Sequence, residues 1–519
     1  MVSFGGEVPV RWLLPLLFAC GGKDPAADAD DTDVEGDTDT DADADTDADA
    51  DTDTDTDTDT VTVTDTDTDT DTPVGGCAVD RWDPANFSTV IDVGPGYGAL
   101  TPSDVPWESL GAGTLVRIWS NGSVYHDKWS IDSVGTAAEP IVVIGVCDPV
   151  TGALPVIDGA GATTRLQLDY WSETRAVLKI GGTSTGPAVP AHIFVEDLEI
   201  RGGRSANGFT DEGGNAATYD DNAAAIFVEE AENLMIRGCT LADSGNGLFV
   251  AHASSDLVVS SNHIWGNGNV GSAYEHNSYT EALGITFEYN RYGALCAGCS
   301  GNNLKDRSAG TIVRYNWIEG GNRQLDLVDS TYPAIAGDPS YRETFVYGNV
   351  LIEPDGDGNS QIVHYGGDGG DPASYRRGTL HFYDNTVVSE RVGNTTLVRL
   401  SDADESLEVR NSILSAAKLA ILEREGTASL ATSWLPTGWV DSFDGGFSGT
   451  VLDGGGLVVG ASPGFVDAAG QDYALAAGSP AIGAAGPLAP AALPVDMQYV
   501  LHQDGTVRTT TDDLGAFEP

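Results

Sequence analysis

A short phrase recurs through the middle of this chain and constrains its fold more than any other feature. Two or three alternating apolar residues are followed by two spacers, then Asn, one spacer and an apolar residue. It reads "LVVSSNHI" (Asn262), "ITFEYNRY" (Asn290), "TIVRYNWI" (Asn316), "TFVYGNVLI" (Asn349), "TLHFYDNTVV" (Asn385) and "LEVRNSIL" (Asn411). "LMIRGCTL" fits the frame with Cys239 in the Asn place, and "IFVEDLEI" fits with Leu198. Successive markers lie 23 to 41 residues apart, so a constant strand motif alternates with loops of variable length. The strand residues favour Val, Ile, Thr, Tyr and Phe, and long amphipathic helical stretches are scarce. The expected fold is all-β: a single-stranded, right-handed parallel β-helix, a solenoid of stacked coils. A β-propeller would need a more uniform blade period.

The marker Asn has its own physical reason. At a sharp bend between strands, an inward amide satisfies backbone groups and bonds to its equivalents above and below. Cys239 at such a position is expected to be a packed, inert thiol. Both ends of the body carry a family resemblance. "VIDVGPGYGAL", "SIDSVGTAAEPIVVIGV" and "PVIDGAGATT" resemble the opening coils of secreted pectate-lyase-like β-helix proteins. "SPGFVDAAGQDYALAAGSPAIGAAG" with "DLGAFEP" is similar to the closing segment of bacterial surface β-helix proteins. The β-helix domain is therefore placed at 74–519, with a closing segment from about 460.

The N-terminal part is of another kind. "MVSFGGEVPVRWLLPLLFAC" has one Arg and an apolar run far shorter than the ~20 residues that span a bilayer, which suits a signal peptide over 1–19. Leu17-Phe18-Ala19-Cys20-Gly21 resembles a bacterial lipobox, which implies lipidation of Cys20 and an exported, outer-membrane or cell-surface lipoprotein. Residues 20–73 are dominated by Asp, Thr and Ala, with 22 acidic residues between Asp24 and Thr72. Such a segment cannot offset its ordering entropy and is expected to be a disordered, self-repelling tether. The whole chain has 25 Lys+Arg against 79 Asp+Glu, a balance that argues against nucleic acid as a partner. It reads as a monomer. Five cysteines remain after Cys20: Cys296 and Cys299 in "CAGC" suit a loop disulfide, Cys77 with Cys147 offers a second, and Cys239 is left over.

Against this acidic background, "NNLKDRSAGTIVRYN" gathers Lys305, Arg307 and Arg314. Tyr279 lies eleven residues before Asn290 and Lys305 eleven before Asn316, while Glu281 and Arg307 each lie nine before the same markers. Coils of equal length would stack Tyr279 over Lys305 and Glu281 over Arg307, with Thr280 and Asp306 turned the other way. His276, Asn277, Asn302 and Asn303 fall just upstream. "EHNSYT" followed by "NNLKDRSAG" is similar to a His-Asn-x-Tyr plus Leu-Lys-x-Arg pairing in bacterial β-helix proteins labelled polysaccharide-degrading. More distantly, Lys305 followed by Arg323 in "GGNRQLDL" resembles the chondroitinase and alginate lyases. That resemblance implies Lys305 as base with Arg323 assisting one coil later, although the spacing is shorter than a 26-residue coil.

The chemistry such a patch suits is β-elimination on a uronate-containing polysaccharide. Cations or calcium neutralise the carboxylate, the adjacent C–H becomes acidic, and a base removes its proton. Lys305, Tyr279, His276, Arg307 and Arg323 are the catalytic candidates, and Asn277, Glu281, Asn302 and Asn303 the substrate-binding ones. Hydrolysis by paired carboxylates such as Asp326 and Asp329 is the competing chemistry. A non-catalytic glycan-binding or adhesion module is the alternative of a different class. The acidic, glycine-rich "EPDGDGN" suits a turn or a calcium site, and His364 in "QIVHYGGDGGD" is an isolated candidate.

Overall fold

A computed structural model describes residues 81–519 apart from 121, 167, 169–170 and 183–188. The signal segment 1–19, Cys20, the tether 20–73 and Cys77 lie outside the described residues.

The repeats coil into a parallel β-helix with three strand faces. Twelve short strands, from Val124–Tyr125 to Val458–Gly460, form one face. The other two join into a single 24-stranded sheet, because Asn246–Ser260 and Ser278–Glu288 run round the bend between them. Along every strand, alternate side chains point in and out. Leu304, Leu325, Val363 and Val398 thus stack inside on consecutive coils, each fully buried.

The sharp corner before the twelve-stranded face explains the recurring phrase. From Ala191–Glu196 to Thr379–Tyr383, each strand before this corner is followed by a residue in the left-handed conformation, for example Asp197, Ser261, Tyr289, Tyr315, Gly348 and Asp384, with φ between 52° and 65°. The next residue turns inward. Its amide makes the ladder: the Asn262 backbone N–H donates to Asn290 Oδ1 at 3.0 Å, Asn290 to Asn316 at 2.9 Å, Asn316 to Asn349 at 2.9 Å, and Asn349 to Asn385 at 2.9 Å. Each side-chain amide donates to the same acceptor and to a backbone carbonyl, so every rung is satisfied. Cys239 fills its rung fully buried and unpaired, and burial raises its thiol well above the ordinary value.

One marker is displaced. Asn411 is not a rung: it occupies the left-handed corner itself, φ 49°, and the ladder passes through Ser412 and Ser433. Asn tolerates that conformation, so the same residue type suits either of two adjacent positions. Asn411 instead exchanges hydrogen bonds with Gly486.

After Val458–Gly460 the chain forms two hairpins, Phe465–Asp467 with Asp472–Leu475 and Met497–Val500 with Asp504–Val507. This segment folds back along the flank of the coils. Val495 packs with Tyr315, Tyr347 and Tyr383, and Tyr473 and Tyr499 pack on Trp317. Cys296 and Cys299 form a disulfide. Cys147 is also disulfide-bonded, and Cys77, its expected partner, falls outside the described residues. Among the described residues no helix is long and apolar enough to cross a membrane.

Candidate functional site

The outward-facing residues of one face form a row, one per coil: Phe227, Phe249, Tyr279, Lys305, Asp326, His364, Arg399 and Glu423. Adjacent coils hold these positions ~4.8 Å apart. The row changes from aromatic to charged at Tyr279, whose ring lies 4.9 Å from that of Phe249. Tyr279 pairs with Lys305 in register, and Thr280 pairs with Asp306 on the inner side.

Below the row, the short strand Leu304–Asp306 is anchored by a buried ion pair. Asp306 and Arg376 are both fully buried, with Arg376 Nη2 3.5 Å from Asp306 Oδ2. Thr280, Ser308 and Thr311 hydroxyls donate to the Asp306 carboxylate at 2.6–2.7 Å. Arg376 donates in turn to the carbonyls of Asp306, Ser308 and Leu327. This network fixes the backbone that presents Lys305 and Arg307.

Above it lies a tight cluster. Lys305 Nζ donates to Asp326 Oδ2 at 2.9 Å and to Asp368. Arg307 donates from Nε to the Tyr279 hydroxyl at 2.9 Å, and its Nη2 lies 2.9 Å from Asp368 Oδ1. Its Nη1 reaches the Asp329 carbonyl and lies 3.5 Å from Asp329 Oδ1. Burial opposes the charge on Lys305, but Asp326 and Asp368 outweigh it and raise its pKa. The same opposition holds for Arg307, whose charge is secured by Tyr279, Asp368 and Asp329. Lys305 is thus held as a cation between Asp326 and Asp368, at the position where the lyase resemblance implies a base.

His276 stacks on Tyr279 and accepts the Asn302 N–H at Nδ1, 2.8 Å, so its proton sits on Nε2. Burial, then Lys305, pushes its pKa down to about 3, which leaves it neutral. Burial raises the Tyr279 phenol despite the two cations, keeping it protonated at neutral pH. Glu281 does not pair with Arg307 as the equal-coil register suggests, because Arg307 leaves the strand toward Asp329 and Asp368. Burial pushes Glu281 up to about 7, and its Oε1 is buried without a hydrogen-bond partner.

The remaining candidates divide. Asn302 belongs to the cluster, donating to Asp326 Oδ2 at 2.9 Å. Asn277 and Asn303 do not: both are fully buried in a second interior ladder, Asn267 to Asn277 at 2.9 Å and Asn277 to Asn303 at 2.7 Å. Arg323 bonds Gln361 at 2.8 Å, because the residue stacked on Lys305 one coil later is Asp326, three positions on. Arg314 lies on another face, paired with Glu288 at 2.6 Å.

Asp368 is the participant that the strand pattern misses. It lies beyond the strand Gln361–Tyr365, two coils after Lys305, where no register reaches. Its only sequence signal is a lone side chain between glycine pairs in "GGDGGD". Asp326 also bonds His364 Nδ1 at 2.8 Å, and His364 Nε2 lies 2.8 Å from Ser401 Oγ. In "EPDGDGN" the two aspartates serve the backbone, Asp355 accepting from Val392 and Asp357 from Gly321, while Glu353 accepts from the Gln324 and Arg391 side chains. Among the described residues no group of three or more His, Cys, Asp or Glu side chains could hold a metal ion.

Coils, ladders and outer row define a right-handed parallel β-helix, the fold that the recurring phrase predicts. The family model described as the right handed beta helix region matches residues 193–336, which include most of the cluster. Among solved structures, the chain is similar to an alginate lyase from Paenibacillus sp. str. FPU-7, at 13% identity and TM-score 0.42, over 72% of this chain and 99% of that one. It is similar to pectate lyase Pel9A at 10% identity and TM-score 0.44, over 83% and 96%. It is also similar to XylC in complex with xylose at 11% identity and TM-score 0.36, over 70% and 86%. No curated protein matches the chain in sequence.

Proposed function

We propose that the protein acts on a uronate-containing polysaccharide by β-elimination along the face that carries Tyr279 and Lys305. The observation that supports this most is the joining of a protonated phenol to two fixed cations, through the Tyr279–Arg307 bond of 2.9 Å and the Tyr279–Lys305 register. Lys305 and Arg307 neutralise the sugar carboxylate and stabilise the charge that develops as the adjacent C–H is broken. Glu281, two residues from Tyr279 on the same side of the strand, takes the proton, since a carboxyl group with a pKa of about 7 is half ionised near neutrality. Tyr279 donates its phenolic proton to the departing glycosidic oxygen. The lipobox-like Leu17–Gly21 and the acidic segment after it support an exported protein held at the outer membrane through Cys20.

A second reading has its own support. The two cations face three carboxylates, Asp326, Asp329 and Asp368, so the cluster is not a basic groove. That balance favours a glycan-binding module without catalysis. Incubating the full chain with uronate polymers separates the two. Unsaturated ends and shorter chains support the lyase, whereas binding with chain length unchanged supports the module.

A further inference from the structure

We infer that Lys305 and Arg307 form a carboxylate-binding site, and that Asp368 fills it as an internal stand-in which a uronate carboxylate displaces. The inference rests on the reading above for the class of ligand.

The three carboxylates around the cations are not equivalent. Asp326 has a side chain 2% exposed and is held by His364 and Asn302 as well as Lys305. Asp329, 0% exposed, accepts the N–H groups of Asp368 and Gly369 at 2.8 and 3.1 Å and the Ser374 hydroxyl at 2.7 Å. Both are built into the scaffold. Asp368 is 28% exposed, and its two oxygens divide between Lys305 Nζ and Arg307 Nη2. One oxygen on each cation is the arrangement in which a sugar carboxylate would be neutralised.

The surrounding loop suits a side chain that can leave. Gly366, Gly367, Gly369 and Gly370 flank Asp368, and glycine is required for the close approach: a Cβ on Gly367 would lie 2.1 Å from Tyr375, and one on Gly369 2.8 Å from Asp329. Asp329 fixes the loop through backbone N–H groups and not through the Asp368 side chain. Rotation of that side chain therefore frees the cations without moving the loop. Exchange of one carboxylate for another avoids the penalty of an unpaired buried charge.

The test is isothermal titration of the full chain, wild type and Asp368→Asn, with hexagalacturonate, hexamannuronate and the methyl ester of each. The expected result is at least ~10-fold tighter binding of one acidic probe by Asp368→Asn, with no gain for its ester. The gain should vanish when Lys305→Met is added. If Asp368 only compensates buried charge, Asp368→Asn melts lower and binds the acidic probes no better, which overturns the inference. Equal gains for the esters, or no binding by either form, overturn it as well. Cleavage is not needed for this readout: tighter acid-specific binding without chain shortening would keep this site and discard the lyase reading.

Discussion

Lys305 and Asp326 lie opposite each other on consecutive coils, with Nζ 2.9 Å from Oδ2 and both side chains nearly closed to solvent. Lys305→Met leaves Asp326 and Asp368 facing each other without that cation. A loss of ~3–5 kcal/mol in stability is expected, the usual result of breaking a buried pair from one side. Cleavage should fall by ~10²-fold or more, because a fixed charge at the developing anion is lost. Denaturant titration and a depolymerisation assay check the two effects separately.

Glu281 gives the activity a pH signature. Its active form as a base is the carboxylate, so the rate should rise with pH through about 7. Glu281→Gln should remove that limb and most of the rate. An unchanged profile in the variant would assign the proton transfer elsewhere.

Stability should have the opposite trend above pH 5. Burial raises Asp197 to about 6, Glu353 and Asp384 to about 7, and Glu405 to about 8. The folded protein then retains protons that the unfolded chain releases near pH ~4, so stability falls as pH rises toward 8. Asp326 and Asp368 work the other way. Burial opposes them, but Lys305 leads the groups that hold them below the ordinary value, and their contribution is lost as pH falls below ~4. Melting temperatures across this range should peak near pH ~5, and Glu405→Gln should flatten the alkaline side.

The Asn ladder makes a separate prediction. Asn316→Ala removes the acceptor shared by the Asn290 backbone N–H and side-chain amide, and deletes the amide that donates to Asn349 Oδ1 and to the carbonyls of Phe287 and Arg314. A loss of ~2–4 kcal/mol is expected from these orphaned groups. Cys239→Ala should cost less, since its thiol makes only weak contacts of 3.5 and 3.7 Å. Paired denaturation curves compare them.

What could be read from residues alone follows from geometry. Tyr279 and Lys305 meet because the coils between Asn262 and Asn349 include two whose strand-to-marker spacing is the same eleven residues. Arg323 missed the rung because the next turn of this face takes 21 residues from Lys305 to Asp326, and loop length carries no strand pattern. Asn277 and Asn303 precede their strands at a corner, where two-residue alternation no longer tells inside from outside. Asp326 and Asp368 together raise the Lys305 pKa against burial, and the arrival of Asp368 from two coils away is a matter of loop path.

The most direct test follows the ultraviolet absorbance of unsaturated sugar ends while the full chain digests a panel of uronate polymers, beside the Tyr279→Phe variant. The absorbance should rise with at least one polymer, and the variant should be slower by ~10²-fold or more while its circular dichroism spectrum stays that of the folded wild type. Chain shortening without new absorbance, or wild-type rates in Tyr279→Phe, would contradict elimination at this site.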